Sequence, residues 1–176
     1  MSPKEEEARN RKDQILEAAA ALFAEYGYYK TTTADVAKAV GVTQPYVFHF
    51  FKSKEALYLA VLEQASQRIL HAFSTVEAPP ERLPEAMGMA FAELLKHHRN
   101  EILLVMLAFA TPEKTVREYA RKGFDHVYER VKERLEQAGI PNPGVRASEF
   151  IGQGLTIALA ETLNLPKLLP WHGLCD

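Results

Sequence analysis

Residues 32–51 read TTADVAKAVGVTQPYVFHFF, and this stretch constrains the fold more than any other part of the chain. Thr32 suits a helix N-cap, with Asp35 three positions on as a weaker form of the capping box. Val36, Ala37 and Val40 give that helix one apolar face, and Gly41 ends it. A second short helix starts at Thr43, where Pro45 is tolerated because first-turn amides have no intrahelical partner. On it, Val47 and Phe51 lie four apart and are placed to pack inward with Val36, Ala37 and Leu22. Thr43, Gln44 and Tyr46 then project from the exposed start. Two short helices about a glycine turn make a helix-turn-helix, whose second helix enters the DNA major groove by its N-terminal residues.

The residue types suit that task. Gln44 carries a donor and an acceptor for an adenine edge, Thr43 can act as either, and Pro45 offers apolar contact to a thymine methyl. Lys52 and Lys54 flank Ser53, the expected cap of the next helix, so free amides and lysines there form a phosphate seat that clamps the DNA backbone. Thr32 is placed to grip a second phosphate. From Arg9 to Lys54 there are seven Lys/Arg against four Asp/Glu, a net +3, whereas residues 55–176 carry a net −3. The basic front is the part expected to meet a polyanion.

Helical periodicity continues on both sides. Ile15, Ala18, Ala19, Leu22, Phe23 and Tyr26 predict a first helix over residues 10–26, stopped by Gly27. After Ser53 a longer helix carries Leu57, Val61, Leu62, Ala65, Ile69 and Phe73, and EAPPERLP breaks the chain. One helix follows through Leu83, Met87, Phe91 and His98, then a short buried one from Ile102 to Ala110, then a long one from Val116 to Leu135. The last, from Val145 to Asn164, is apolar nearly all round, as expected of a central helix or one covered by a partner chain. With no strand pattern and no repeat, the chain is all-α.

The 176 residues are 47% apolar, enough for a core in one medium domain or a small domain joined to a larger one. The longest apolar run, Ile102 to Ala110, is about half of what spans a bilayer, and the start lacks a signal-peptide segment, so a cytoplasmic protein without membrane attachment is expected. Cys175 is the only cysteine, which offers neither a disulfide framework nor a cysteine zinc site. His97 and His98 point about 100° apart on a helix and do not share one ion. No metal, cofactor or catalytic residue is expected.

Asp13 to Leu57 resembles the DNA-binding domain of the TetR family of bacterial transcriptional regulators. The resemblance is carried by ILEAAAALFAEYGYYKTTTADVAKAVGV followed by TQPYVFHFFKSKEAL, in which Gly27, Tyr28, Thr31, Thr32, Val36, Ala37, Gly41, Phe51 and Ser53-Lys54-Glu55 take the family's usual places. Phe48 stands where the family often has Tyr, and Phe50 where it often has Tyr or His; neither donates a hydrogen bond, and His49 is positioned to compensate. The resemblance implies a DNA-facing set of Thr32, Thr33, Thr43, Gln44, Pro45, Tyr46, Phe48, His49, Lys52 and Lys54. It implies an N-terminal three-helix domain over residues 1–53 and a helical effector-binding and dimerisation domain over residues 54–176.

In that rear domain Met87, Phe91, His98, Met106, Phe109, Phe124 and Tyr128 are the expected lining of a cavity for a small, largely apolar effector, since flexible Met and broad aromatic faces suit apolar molecules. The all-round apolar helix is expected to pair with its own copy through Ile151, Gly154, Leu155, Ala158 and Leu159, giving a homodimer that holds two reading helices on palindromic double-stranded DNA. The expected function is a ligand-responsive regulator, most often a repressor in such families. The alternative is a helical small-molecule-binding protein or enzyme that keeps the front domain as scaffold.

Overall fold

Gly27, with φ of 78°, occupies the left-handed region open to glycine and interrupts the first helix where its sequence stops. In the computed structural model, which describes residues 3–169, this helix is α1 (Pro3–Lys30) and begins well before residue 10. Thr31 is buried just beyond, its hydroxyl bonded to the Leu22 and Gly27 carbonyls at 3.0 Å each, which satisfies acceptors that the break leaves free. Ile15, Leu16, Ala19, Ala20 and Phe23 form the buried face of α1. Tyr26, expected on that face, is exposed because the break at Gly27 ends the apolar stripe one turn earlier.

α2 (Thr33–Val40) and α3 (Gln44–Phe50) follow as the short pair. A full capping box starts α2: the Asp35 amide donates to Thr32 Oγ1 at 3.2 Å and the Thr32 amide to Asp35 Oδ2 at 2.9 Å. Gly41, with φ of 72°, ends it, and the Val42 amide reaches back to the Ala37 carbonyl at 2.9 Å. α4 (Lys54–Thr75) opens on Ser53, whose hydroxyl accepts the Ala56 amide at 3.0 Å.

The rear is built from α5 (Leu83–Leu107), α6 (Lys114–Gln137) and α7 (Pro143–Leu163). The two helices expected on either side of residues 99–101 are one element, α5, kinked at His98 (φ −132°, ψ 33°). There His98 Nδ1 turns onto Glu101 Oε1 at 2.8 Å, and Arg68 of α4 pairs with the same carboxylate. The residues after the kink fill the space between α4 and α7, so the apolar run buries itself without a separate helix.

Two apolar clusters result, and α4 belongs to both. Leu57, Tyr58, Val61 and Leu62 pack with α1, α2 and α3, whereas Ala65, Ile69 and Phe73 pack with the rear helices. Each such buried Leu, Ile or Phe contributes about 1.5–3 kcal/mol. The front cluster also takes in Ala108, Val116 and Ala120, so the boundary expected at residue 53 falls short of where the front core ends. Among the described residues no helix is long and apolar enough to cross a membrane. Cys175 lies outside the described residues.

Candidate nucleic-acid interface and cavity

The outer surface of α3 is built by what the inner surface buries. Val47 is fully buried and Phe51 nearly so, in the cluster that holds Val36 and Ala37, which orients the opposite side of the helix outward. Thr43, Gln44, Pro45, Tyr46, Phe48 and His49 are all exposed there, Tyr46 and Phe48 at 37% each. Phe50 is half-buried and props the Tyr46 ring edge-on at a centroid distance of 5.4 Å and the His49 ring at 5.2 Å. The crowded aromatics therefore divide: Phe51 belongs to the core, Tyr46 and Phe48 to the surface, and Phe50 joins the two. Thr43 makes no side-chain cap, so its hydroxyl stays available.

Two residues expected at the surface hold the interface from behind. Thr33 is buried and its hydroxyl accepts the Gln44 side-chain Nε2 at 2.9 Å, linking the first turn of α2 to that of α3. Lys54 turns inward: Nζ donates to the Tyr28 carbonyl at 2.9 Å and lies 4.5 Å from the Tyr28 ring centroid. A cation at the end of α1 is favoured by the free carbonyls there. That tertiary partner, invisible in a local motif, places Lys54 Nζ at the α1 terminus. Lys52 remains exposed beside the start of α4. Thr32 is exposed, and its hydroxyl bond to Asp35 holds that carboxyl below the ordinary aspartate range.

Behind the front domain an apolar cavity of about 70 Å³ opens between α4, α5, α6 and α7. Phe91, Met106 and Phe124 line it as expected. Met87 is packed in the rear core, Phe109 is half exposed against Phe124, and Tyr128 backs onto Gly144. His98 lies outside the cavity, on Glu101, because the α5 kink turns it away. Sequence periodicity missed the walls supplied by α4 and α7, among them Ser66, Phe73, Phe150 and Gln153, and it missed Tyr119. The Tyr119 hydroxyl donates to Glu63 at 2.9 Å and lies 3.0 Å from Ser66 Oγ, both on α4. Burial pushes this phenol up to about 12.

α7 presents one side to the cavity and core and the other outward. Ala158 is fully buried, Ile151 and Gly154 line the cavity, and Leu155 is half-buried, so of the expected partner-facing residues Leu159 alone is exposed, at 45%. An apolar helix gives no sign of which side its own chain covers, and here α5 and α6 cover the Ala158 side. The outward stripe is Val145, Gly152, Thr156, Leu159 and Leu163, at steps of three, four and seven.

The family described as "Bacterial regulatory proteins, tetR family" matches residues 15–61, which run from the buried face of α1 through the reading helix to the front half of α4. Over these residues the chain is similar to the DNA-binding domain of that family. The HTH-type transcriptional repressor KstR2 of Mycobacterium tuberculosis is 26% identical over 149 residues, which is 82% of this chain and 71% of the relative. Among solved structures the fold is similar to the complex of AibR with isovaleryl coenzyme A and operator DNA, with a TM-score of 0.68 and 23% identity over 85% of this chain and 86% of that one. It is also similar to the SmeT–triclosan complex, with a TM-score of 0.72 and 22% identity over 92% of this chain and 84% of that one. Both are likenesses of fold at this identity. The TetR domain and the exposed α3 surface coincide.

Proposed function

We propose that the protein is a ligand-responsive transcriptional repressor that binds a palindromic operator as a homodimer and is released when a small apolar molecule occupies the rear cavity. The outward face of α3, held by Val47, Phe51 and Thr33, carries this reading: Thr43, Gln44, Pro45, Tyr46, Phe48 and His49 are all exposed on it. KstR2 is named a repressor, AibR was solved on operator DNA, and SmeT was solved with triclosan, which supports the same pairing of DNA and small molecule here. Residues 1–53 supply DNA contact, residues 54–176 supply effector binding and dimerisation, and the protein performs no catalysis and works in the cytoplasm.

Dimerisation follows from the geometry of reading. One helix covers a few base pairs, so operator specificity takes two reading helices about one DNA turn apart or more. The α7 stripe of Val145, Gly152, Leu159 and Leu163 is the apolar surface for pairing with a second copy, and Gly152 allows close approach.

Release works as a population shift, with DNA favouring one spacing of the reading helices and ligand another. α4 is the element that feels both. Its start is tied to α1 by Lys54, its middle touches the cavity through Tyr119, and its end is held by Arg134, which donates to the Ser74 and Val76 carbonyls. The deciding experiment is to capture fragments of the source genome on the purified protein and sequence them. A shared palindrome that binds far more tightly than random DNA is expected; uniform, salt-sensitive binding to all fragments would remove the regulator reading.

A further inference from the structure

Gly88 sits inside α5 and Gly123 inside α6, and both line the cavity. A glycine within a helix costs stability relative to alanine, and the usual compensation is a neighbour too close to admit a methyl group. Neither has one: a Cβ at either position meets nothing within 4 Å. Close packing therefore does not account for these glycines, and open space does. The charge of the walls is equally specific. No Lys, Arg, His, Asp or Glu lines the cavity among the described residues, so an ion placed there would give up its hydration against uncharged walls, and the nearby Glu63 carboxylate already accepts the Tyr119 hydroxyl. Polarity is confined to Ser66, Tyr119 and Gln153.

We propose that the cavity takes an uncharged, compact apolar molecule bearing one hydrogen-bonding oxygen, that Gly88 and Gly123 keep the space for it, and that Ser66 and Tyr119 receive the oxygen. The proposal rests on the reading of this cavity as the effector site. With its proton given to Glu63, the Tyr119 oxygen accepts, and Ser66 both donates and accepts. A ligand hydroxyl set against this pair exchanges hydrogen bonds with both, and in doing so it disturbs the contact between α6 and α4. The volume of about 70 Å³ holds several waters' worth of space, which suits a short chain or a single ring over a long lipid.

The test uses the full chain with ¹³C-methyl methionine and follows it by NMR without DNA. The terminal methyl of Met106 lies 3.4 Å from where a Gly154 side chain would begin, at the cavity wall, while Met89 is 64% exposed and serves as control. Hexan-1-ol, hexanoate and hexylammonium are titrated at neutral pH. Hexan-1-ol is expected to shift Met106 and leave Met89 unmoved, with either ion at least tenfold weaker. Gly123→Leu, which fills the space and favours the helix, is expected to abolish the Met106 response, and Gly88→Leu repeats the test from α5. Tyr119→Phe combined with Ser66→Ala is expected to weaken hexan-1-ol severalfold while leaving n-hexane unchanged.

Equal binding of either ion would overturn the uncharged class. A Met106 response that survives both leucine variants would overturn the role of the glycines, and unchanged hexan-1-ol affinity in the double variant would overturn the polar pole. No response to any probe would overturn the site. Operator release is measured separately, so a protein that binds hexan-1-ol as described yet never leaves DNA contradicts the regulatory reading alone.

Discussion

Lys54 Nζ donates to the Tyr28 carbonyl at 2.9 Å, which fastens the first turn of α4 to the last turn of α1. The bond makes Lys54 a positioning residue for the reading helix, because α2 and α3 lie in the chain between the two elements it joins.

Lys54→Met is expected to lower the stability of the protein by about 1–2 kcal/mol, since the carbonyl loses a charged donor and α1 loses the cation at its end. Lys52→Ala, at an exposed position, is expected to leave the melting temperature unchanged and reduce the slope of log affinity against log salt by about 0.9. Thermal denaturation and salt-dependent DNA binding of the two variants check the division; a stable Lys54→Met protein with a reduced salt slope would return Lys54 to the phosphate.

Thr33 and Gln44 are expected to act as a pair. Gln44→Ala is expected to remove a base contact and to erode operator preference by about 1–3 kcal/mol while random DNA binds as before. Thr33→Val leaves Gln44 in place but unanchored, and it is expected to cost part of the same preference. A double-mutant cycle on operator affinity checks the coupling, and additive effects would separate the two residues.

Asp35 is an acid-sensitive element of the front domain. The Thr32 hydroxyl and amide depress its carboxyl, so its contribution to stability is complete above the ordinary aspartate range and is lost as the pH falls through the lowered value. The melting temperature of Asp35→Asn is expected to fall less than that of the native protein as the pH is lowered across this window. Parallel curves from neutrality down to acid pH would rule out this capping box as a source of acid sensitivity.

Leu159→Glu with Leu163→Glu is expected to convert dimer to monomer and abolish operator binding, although both residues are remote from α3. Leu163 is 58% exposed in the single chain, so the charges cost the monomer fold little. Analytical ultracentrifugation at micromolar concentration checks it, and a dimeric double variant that still binds the operator would take the α7 stripe out of the interface.

What the sequence by itself determined is the set of features that rest on nearest neighbours along the chain. Thr32 with Asp35, Ser53, Gly27 and Gly41 are legible because a cap or a left-handed turn involves residues within a few positions of one another. The inward pair Val47 and Phe51 is legible for the same reason, since helical spacing alone sets both on one side. The tertiary structure alone decided where long or ambivalent side chains ended. Lys54 found a carbonyl 26 positions away, Arg68 of α4 joined His98 at Glu101 of α5, and Tyr119 reached Glu63 across 56 positions. It also decided which side of α7 is core: Ala158 and Leu159 are adjacent and both apolar, yet one is buried and the other exposed. Periodicity marks a helix as apolar all round, but the covered side is set by whichever helices the folded chain brings against it.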